Sequence, residues 1–411
     1  MGFVALSREN IATKADQWLW IRKVAVIGPR HRSSWYMKGT IFQIRLAFLN
    51  PPISSHLTPT PAFPRLKMHV LITGAAGFIG QLVAKELLND PAHIVVLADV
   101  VSPPVPKSIK YPQNAKCVKV DLCAAASQVI EKSLDAVFVF HGIMSSGSES
   151  NFELGMKVNV DATRSLLDSI RTSCRPDIRV IYSSSQAVYG LPLPQVVDDS
   201  VIPTPQSSYG MEKLICEALI NDYTRRGFLD GLILRFPTIS VRPGTPTAAA
   251  SSFLSGMIRE PLNGQKCEIP IEDRDFRSWL CSPKTLVSNL IYALTMSTTK
   301  LPTHIRQVNM PGISVTVQEM IDALEKVGGK DKLQFLNEKT DASLVPILRS
   351  WPTRFDNSQA FALGFKRDVS FEQAVQDYKD GLRPVVPLEE LKERNQEQVP
   401  VQPQKVPLVA V

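Results

Sequence analysis

The chain has 411 residues, 44% of them hydrophobic, enough for a sizeable core, and a formal charge of +7. That charge is local: residues 1–67 carry ten Lys or Arg against two acids, while the remainder balances at 36 against 37, so the globular part gives no support to nucleic-acid binding. No apolar run approaches the ~20 residues of a membrane span. The six scattered cysteines (Cys117, Cys123, Cys174, Cys216, Cys267, Cys281) form no CxxC and pair with no His at ligand spacing. They make no case for a metal and read as reduced thiols of a cytosolic protein.

Residues 1–67 show no sustained period. They hold a Pro- and Ser-rich patch (PPISSHLTPTP, 51–61) and three Trp, and Met68 stands directly before the first apolar run. They read as a disordered extension, or an upstream stretch wrongly included, in a cytoplasmic protein. A mitochondrial transit segment is the alternative, because acid-poor, Arg-bearing N-termini can be imported. From about Arg383 the chain turns rich in Pro, Gln, Glu and Val and reads as a disordered tail over 384–411.

The first ordered stretch is VLITGAAGFIG, Val70 to Gly80. Val70 to Thr73 predict a buried strand, and Ile79, Leu82, Val83 and Leu87 share one face of a helix. Gly74, Gly77 and Gly80 lie between and suit a pyrophosphate: one turns the chain tightly, one admits the phosphates, one lets helix pack on strand. The helix N-terminus then faces the anion. Three spaced glycines alone are a weak signal, for which a plain turn is the bland reading. Context sharpens it, because the next apolar run, IVVLAD, ends in Asp99, nineteen residues after Gly80. A dinucleotide fold places there the carboxylate that holds the adenosine ribose. No Lys or Arg follows before Lys107, so nothing is placed to hold a 2′-phosphate, and NAD is expected over NADP.

Strand and helix patterns then alternate, as in an α/β protein. CVKVD (117–121) predicts a third strand ending in Asp121, which either reaches the adenine or caps the next turn. AVFVF (136–140) predicts a fourth, leading into the loop HGIMSSGSES at the carboxyl edge of the sheet, where ligands bind. A single helix is expected over 152–170, carrying Asn159 and an apolar face of Val158, Ala162, Leu166 and Ile170. A fifth strand begins at Arg179 and ends in Ser183, Ser184 and Ser185. Tyr209 and Lys213 follow as YGMEK, one helical turn apart on one face. An ammonium beside a phenol favours phenolate and is expected to hold its pKa below about 10. Such a phenol exchanges a proton with a substrate alcohol, and a Ser at the strand end can bond the same oxygen.

With TGAAGFIG, SSSQAVYG and YGMEK in this order, the chain resembles the extended short-chain dehydrogenase/reductase superfamily, also called the NAD-dependent epimerase/dehydratase family. The resemblance covers residues 68–383. It implies a Rossmann-type doubly wound parallel sheet (68–240) with a smaller C-terminal α/β substrate domain (241–383), some of whose segments return to the Rossmann core. It implies catalytic roles for Ser185, Tyr209 and Lys213, with Asn159 supporting the proton relay. It further implies NAD contacts from Gly74, Gly77, Phe78, Ile79, Gly80, Asp99, Asp121, Leu122, Tyr209, Lys213 and Pro237. Substrate contacts are implied from Ser145, Ser185, Tyr209, Thr238, Arg242 and Arg274. His141-Gly142-Ile143 depart from the small apolar residues common after the fourth strand.

The segments LILRFPTISVRPG, SSFLSGMIREPLNG and DRDFRSWLCSPK (273–284) resemble the D-erythronate dehydrogenase branch. That implies oxidation of the C2 hydroxyl of a four-carbon sugar acid. A carboxylate substrate calls for a guanidinium, and Arg235, Arg242, Arg274 and Arg277 lie in segments expected near the cleft. At least two are expected to be structural ion pairs, with Arg242 and Arg274 chosen for the ligand. QVNMPG (307–312) and helices near Val317–Val327 and Phe371–Tyr378 are expected to build the smaller domain. Two other functions stand beside the first: a nucleotide-sugar epimerase or dehydratase with tightly held NAD, and a non-catalytic NAD-binding regulator. The partners expected are a small-molecule sugar acid and a second copy in a homodimer, with neither nucleic acid nor membrane.

Overall fold

The computed structural model describes residues 67–245 and 249–382, all within one compact unit. The tail and, apart from Lys67, the N-terminal extension lie outside the described residues. Seven parallel strands form the central sheet: β1 (Met68–Thr73), β2 (His93–Asp99), β3 (Ala115–Lys119), β4 (Ala136–Val139), β5 (Arg179–Ser185), β6 (Asp230–Phe236) and β10 (Gln307–Asn309). Their order is β10-β6-β5-β4-β1-β2-β3. Both faces are covered by apolar cores, which is why the strands read as near-continuous apolar runs rather than alternations. Val70 and Ile72 of β1 and Leu232 and Leu234 of β6 point into one core, Leu71 and Ile233 into the other. The order reverses between β1 and β4, and at that point the carboxyl ends of the strands open a crevice for a ligand.

A smaller body follows. β7 (Thr238–Ile239), β9 (Arg277–Cys281) and β11 (Ile313–Thr316) make a second sheet, and β8 (Cys267–Ile269) pairs with β12 (Leu336–Glu338). They enclose a third core with the helices Phe253–Leu262, Val317–Gly328 and Phe371–Leu382. The Val317–Gly328 helix starts on a capping box, Thr316 with Glu319, which satisfies two backbone donors reciprocally.

Four local expectations are corrected. β3 stops at Lys119; Asp121 lies beyond it and caps the helix Leu122–Ala125, its Oδ1 accepting from the Cys123 N–H at 2.9 Å. The segment after β4 is partly a helix, Ser145–Ser150. The helix expected over 152–170 is three pieces: Phe152–Gly155, a π-helical turn Met156–Asp161, and Ala162–Ser173. The wider turn rotates the face, so Asn159 and Val160 are buried with Ala162, Leu166 and Ile170, while Val158 is half-exposed. Finally, QVN of 307–309 belongs to the central sheet, since β10 pairs with β6 (Gln307↔Ile233, Asn309↔Arg235). The Pro283–Ala293 helix likewise returns to the first core through Leu286, Leu290 and Ala293.

Candidate active site

The glycine loop leaves β1 through Gly74, whose φ of +65° favours a residue without a side chain. A Cβ there would lie 2.6 Å from the His141 backbone nitrogen, and one on Gly80 would lie 2.6 Å from the Gly74 carbonyl oxygen. The helix Phe78–Leu87 therefore sits directly on the loop. Gly77 caps it without a side-chain acceptor, leaving first-turn N–H groups for a ligand. Asp99, at the end of β2, accepts from the Ala76 N–H at 2.9 Å, so its carboxylate stands beside the loop that would hold the pyrophosphate. Phe78 and Ile79 are half-buried in the first turn, Leu122 is in the second core, and Pro237 is buried just past β6. These features fit a dinucleotide.

The loop after β4 is fixed by side chains. His141 bridges Thr73 Oγ1 (2.9 Å) and Thr163 Oγ1 (3.3 Å). Burial, and then the Lys213 ammonium, push its pKa down to about 3, so it is neutral and structural. Asn159, from the π-helical turn, clamps both backbone groups of Ile143: Oδ1 accepts its N–H at 2.7 Å and Nδ2 donates to its carbonyl at 3.0 Å. Asn159 thus holds the loop. Its Nδ2 also meets Glu212 Oε2 at 2.5 Å, and Ser148 Oγ donates to the same oxygen at 2.8 Å. Glu212 is fully buried, yet the sequence reading passed over it inside YGMEK; so too Ser148. Ser145 opens the short helix beside them and is half-buried.

Ser185 ends β5, and Tyr209 and Lys213 lie on the helix Ser208–Arg225. Ser207 starts that helix by accepting from the Gly210 N–H at 3.2 Å. A Cβ on Gly210 would meet the Ala187 carbonyl oxygen at 2.1 Å, so this glycine lets the helix close on the turn after Ser185. The three residues lie together at the end of β5, with the Ser185 side chain near enough to the Tyr209 phenol to draw its pKa down. Lys213 Nζ donates to the Ser183 carbonyl at 2.7 Å and lies 5.5 Å from the Tyr209 ring centroid.

The electrostatics differ from the expectation. Burial pushes the Tyr209 phenol up to about 12, with only Ser185 drawing it back and Glu212 adding to the rise. Burial also pulls the Lys213 ammonium down to about 8, against the opposing acids Glu212 and Glu217 and the Cys216 thiol. Desolvation of the phenolate dominates here.

The four arginines separate cleanly. Arg235 is a buried structural partner: its guanidinium bonds Glu217 at 2.9 and 2.6 Å and Tyr189 Oη at 2.7 Å. Arg274, expected on the ligand, is instead held by Glu338 (3.1 Å) and Gln318 (3.0 Å) at an exposed position. Its guanidinium already has a carboxylate, which corrects that assignment. Arg277 has, among the described residues, only Glu319 as a carboxylate neighbour, at 3.9 Å. Arg242 makes no salt bridge among the described residues, and burial, then the nearby Arg259 cation, lower its pKa. Thr238 Oγ1 accepts from Gln186 Nε2 at 3.1 Å.

Residues 70–298 match the NAD dependent epimerase/dehydratase family. The chain is 42% identical over 316 residues to a D-erythronate dehydrogenase of Haemophilus influenzae, covering 76% of this chain and 98% of that protein. A D-erythronate dehydrogenase of Cupriavidus necator is 41% identical over 325 residues, again 76% and 98%. A solved structure described as a nucleoside-diphosphate-sugar epimerase from Agrobacterium tumefaciens superposes with a TM-score of 0.72 at 34% identity, covering 80% of this chain and 98% of that one.

Proposed function

The chain belongs to the NAD-dependent epimerase/dehydratase family, and on that premise we propose that it oxidises the C2 hydroxyl of a four-carbon sugar acid, of the D-erythronate kind, to the 2-keto acid. The observation that carries the reaction is the gathering of Ser185, Tyr209 and Lys213 at the carboxyl end of β5. The two dehydrogenase relatives, matched over 98% of their length, supply the substrate class.

The glycine loop and Asp99 would hold NAD, which would supply the hydride acceptor. Tyr209 takes the proton from the C2 hydroxyl as the C2–H bond breaks and the carbonyl forms. Ser185 donates to the same oxygen and fixes it, so that the C–H points at the acceptor. Lys213, anchored on the Ser183 carbonyl, favours the phenolate as the proton leaves. Asn159 keeps the loop of His141 to Met144 in place beside Lys213. Of the four arginines, Arg242 and Arg277 are the two whose guanidinium has no hydrogen-bonded carboxylate among the described residues.

The Agrobacterium likeness keeps an epimerase as the second reading. An epimerase regenerates its NAD, whereas a dehydrogenase releases NADH stoichiometrically. Incubation with NAD and a panel of four-carbon sugar acids should give NADH from at least one, with D-erythronate foremost. Conversion of a nucleotide sugar with no net NADH, and silence toward every acid, would reverse the choice.

A further inference from the structure

Beside Ser185 the chain opens a narrow crevice at the join of the two bodies. Gln186, Thr238, Arg277, Trp279 and Trp351 line it. Gln186 directly follows Ser185 and is 6% exposed. Its Nε2 donates to Thr238, but its buried Oε1 has no hydrogen-bond partner. A buried amide oxygen left unpaired is costly, and Gln186 lines the crevice from which a ligand group could reach it. Arg277 reaches the same crevice from the start of β9, with its side chain 37% exposed. Its one carboxylate neighbour, Glu319 at 3.9 Å, is already engaged in the capping box, where Oε2 accepts from the Thr316 N–H at 2.7 Å. Arg277 therefore carries a cation with no hydrogen-bonded partner among the described residues. Arg242 does not line this crevice.

We propose that Arg277 and Gln186 form the recognition end of the substrate site: Arg277 takes the carboxylate of the acid, and Gln186 Oε1 accepts a hydrogen bond from a hydroxyl of the chain beyond C2. The walls suit this. Trp279 and Trp351 offer apolar faces to the carbon skeleton, and Gln186 directly follows Ser185, which holds the C2 oxygen. The inference rests on the reading of the chain as a sugar-acid dehydrogenase and adds which residues discriminate acids from neutral analogues, and polyhydroxy acids from simple ones.

The test measures NADH formation by the full chain with D-erythronate, its neutral amide and 2-hydroxybutanoate, which lacks the hydroxyls beyond C2. NAD binding by fluorescence checks that each variant is folded. Arg277→Met should raise KM for erythronate about 10- to 100-fold and erase the preference for acid over amide. Arg277→Lys, which keeps the charge, should fall between. Gln186→Leu should lower the preference for erythronate over 2-hydroxybutanoate about tenfold. The proposal is overturned if Arg242→Met, and not Arg277→Met, erases the acid preference, or if Gln186→Leu slows both acids alike. If the wild-type protein makes no NADH from any acid, the dehydrogenase reading falls as well. That outcome is distinct from a working enzyme whose Arg277 and Gln186 variants keep their selectivity.

Discussion

Replacing Arg235 by Met strands a carboxylate in the core. Glu217 is 2% and Arg235 4% exposed, and the guanidinium supplies two of the three hydrogen bonds that Glu217 receives; the third comes from Ser184 Oγ at 2.5 Å. Removing one partner of a buried pair typically costs about 3–5 kcal/mol. We therefore expect Arg235→Met to lose about 3–5 kcal/mol at pH 7 in urea unfolding. The double variant Glu217→Gln/Arg235→Met should regain more than half of the loss, because no charge remains to be solvated. A loss below about 1 kcal/mol, or an unchanged stability with a raised KM, would show that Arg235 serves the cleft and that the buried pair does not hold in solution.

Tyr209→Phe should lower kcat by about 10²–10⁴ while NAD still binds, since the ring and the glycine loop remain; turnover near wild type would remove Tyr209 from the chemistry. Oxidation should rise with pH, because the phenol must lose its proton and burial holds it high. Ser185 is the group that draws that pKa down, so Ser185→Ala should move the rising limb of kcat/KM to higher pH; a limb that stays in place would contradict that role of Ser185. NAD should be preferred over NADP in kcat/KM, because Asp99 would repel a 2′-phosphate, and equal use would argue against Asp99 at the ribose. Gly80→Ala should weaken NAD binding and lower stability together, since the new methyl meets the Gly74 carbonyl oxygen at 2.6 Å and Ala75 Cα at 2.9 Å, both backbone; unchanged NAD affinity would show that the loop can yield.

Short-range spacing determined much of this protein. The glycine loop, the acid at the end of β2, the serine-ended β5 and the Tyr209–Lys213 pair are each set by neighbours a few residues apart, so strand and helix periods were enough to place them. The resemblance to the dehydrogenase family was carried by the same short motifs. What only the tertiary structure decided concerns groups whose partners come from far along the chain. The helix Ser208–Arg225 buries Glu212, Lys213 and Glu217 on the stripe that a hydrophobic pattern reserves for apolar residues. Those charges are tolerated because Asn159 arrives from 53 residues away, the Ser183 carbonyl from 30 and Arg235 from 18. The choice among the arginines turned on the same fact. Arg274 meets Glu338 across 64 residues, and that contact, invisible to any local period, takes it from the ligand and leaves Arg277 open to the crevice beside Gln186. Nor could spacing weigh the Tyr209 phenol: a lysine one turn away says that the pKa should fall, but burial by the whole fold decides that it rises. A sequence period specifies which face of an element is covered; which group covers it, and at what cost to a charge, is settled only when distant segments pack together.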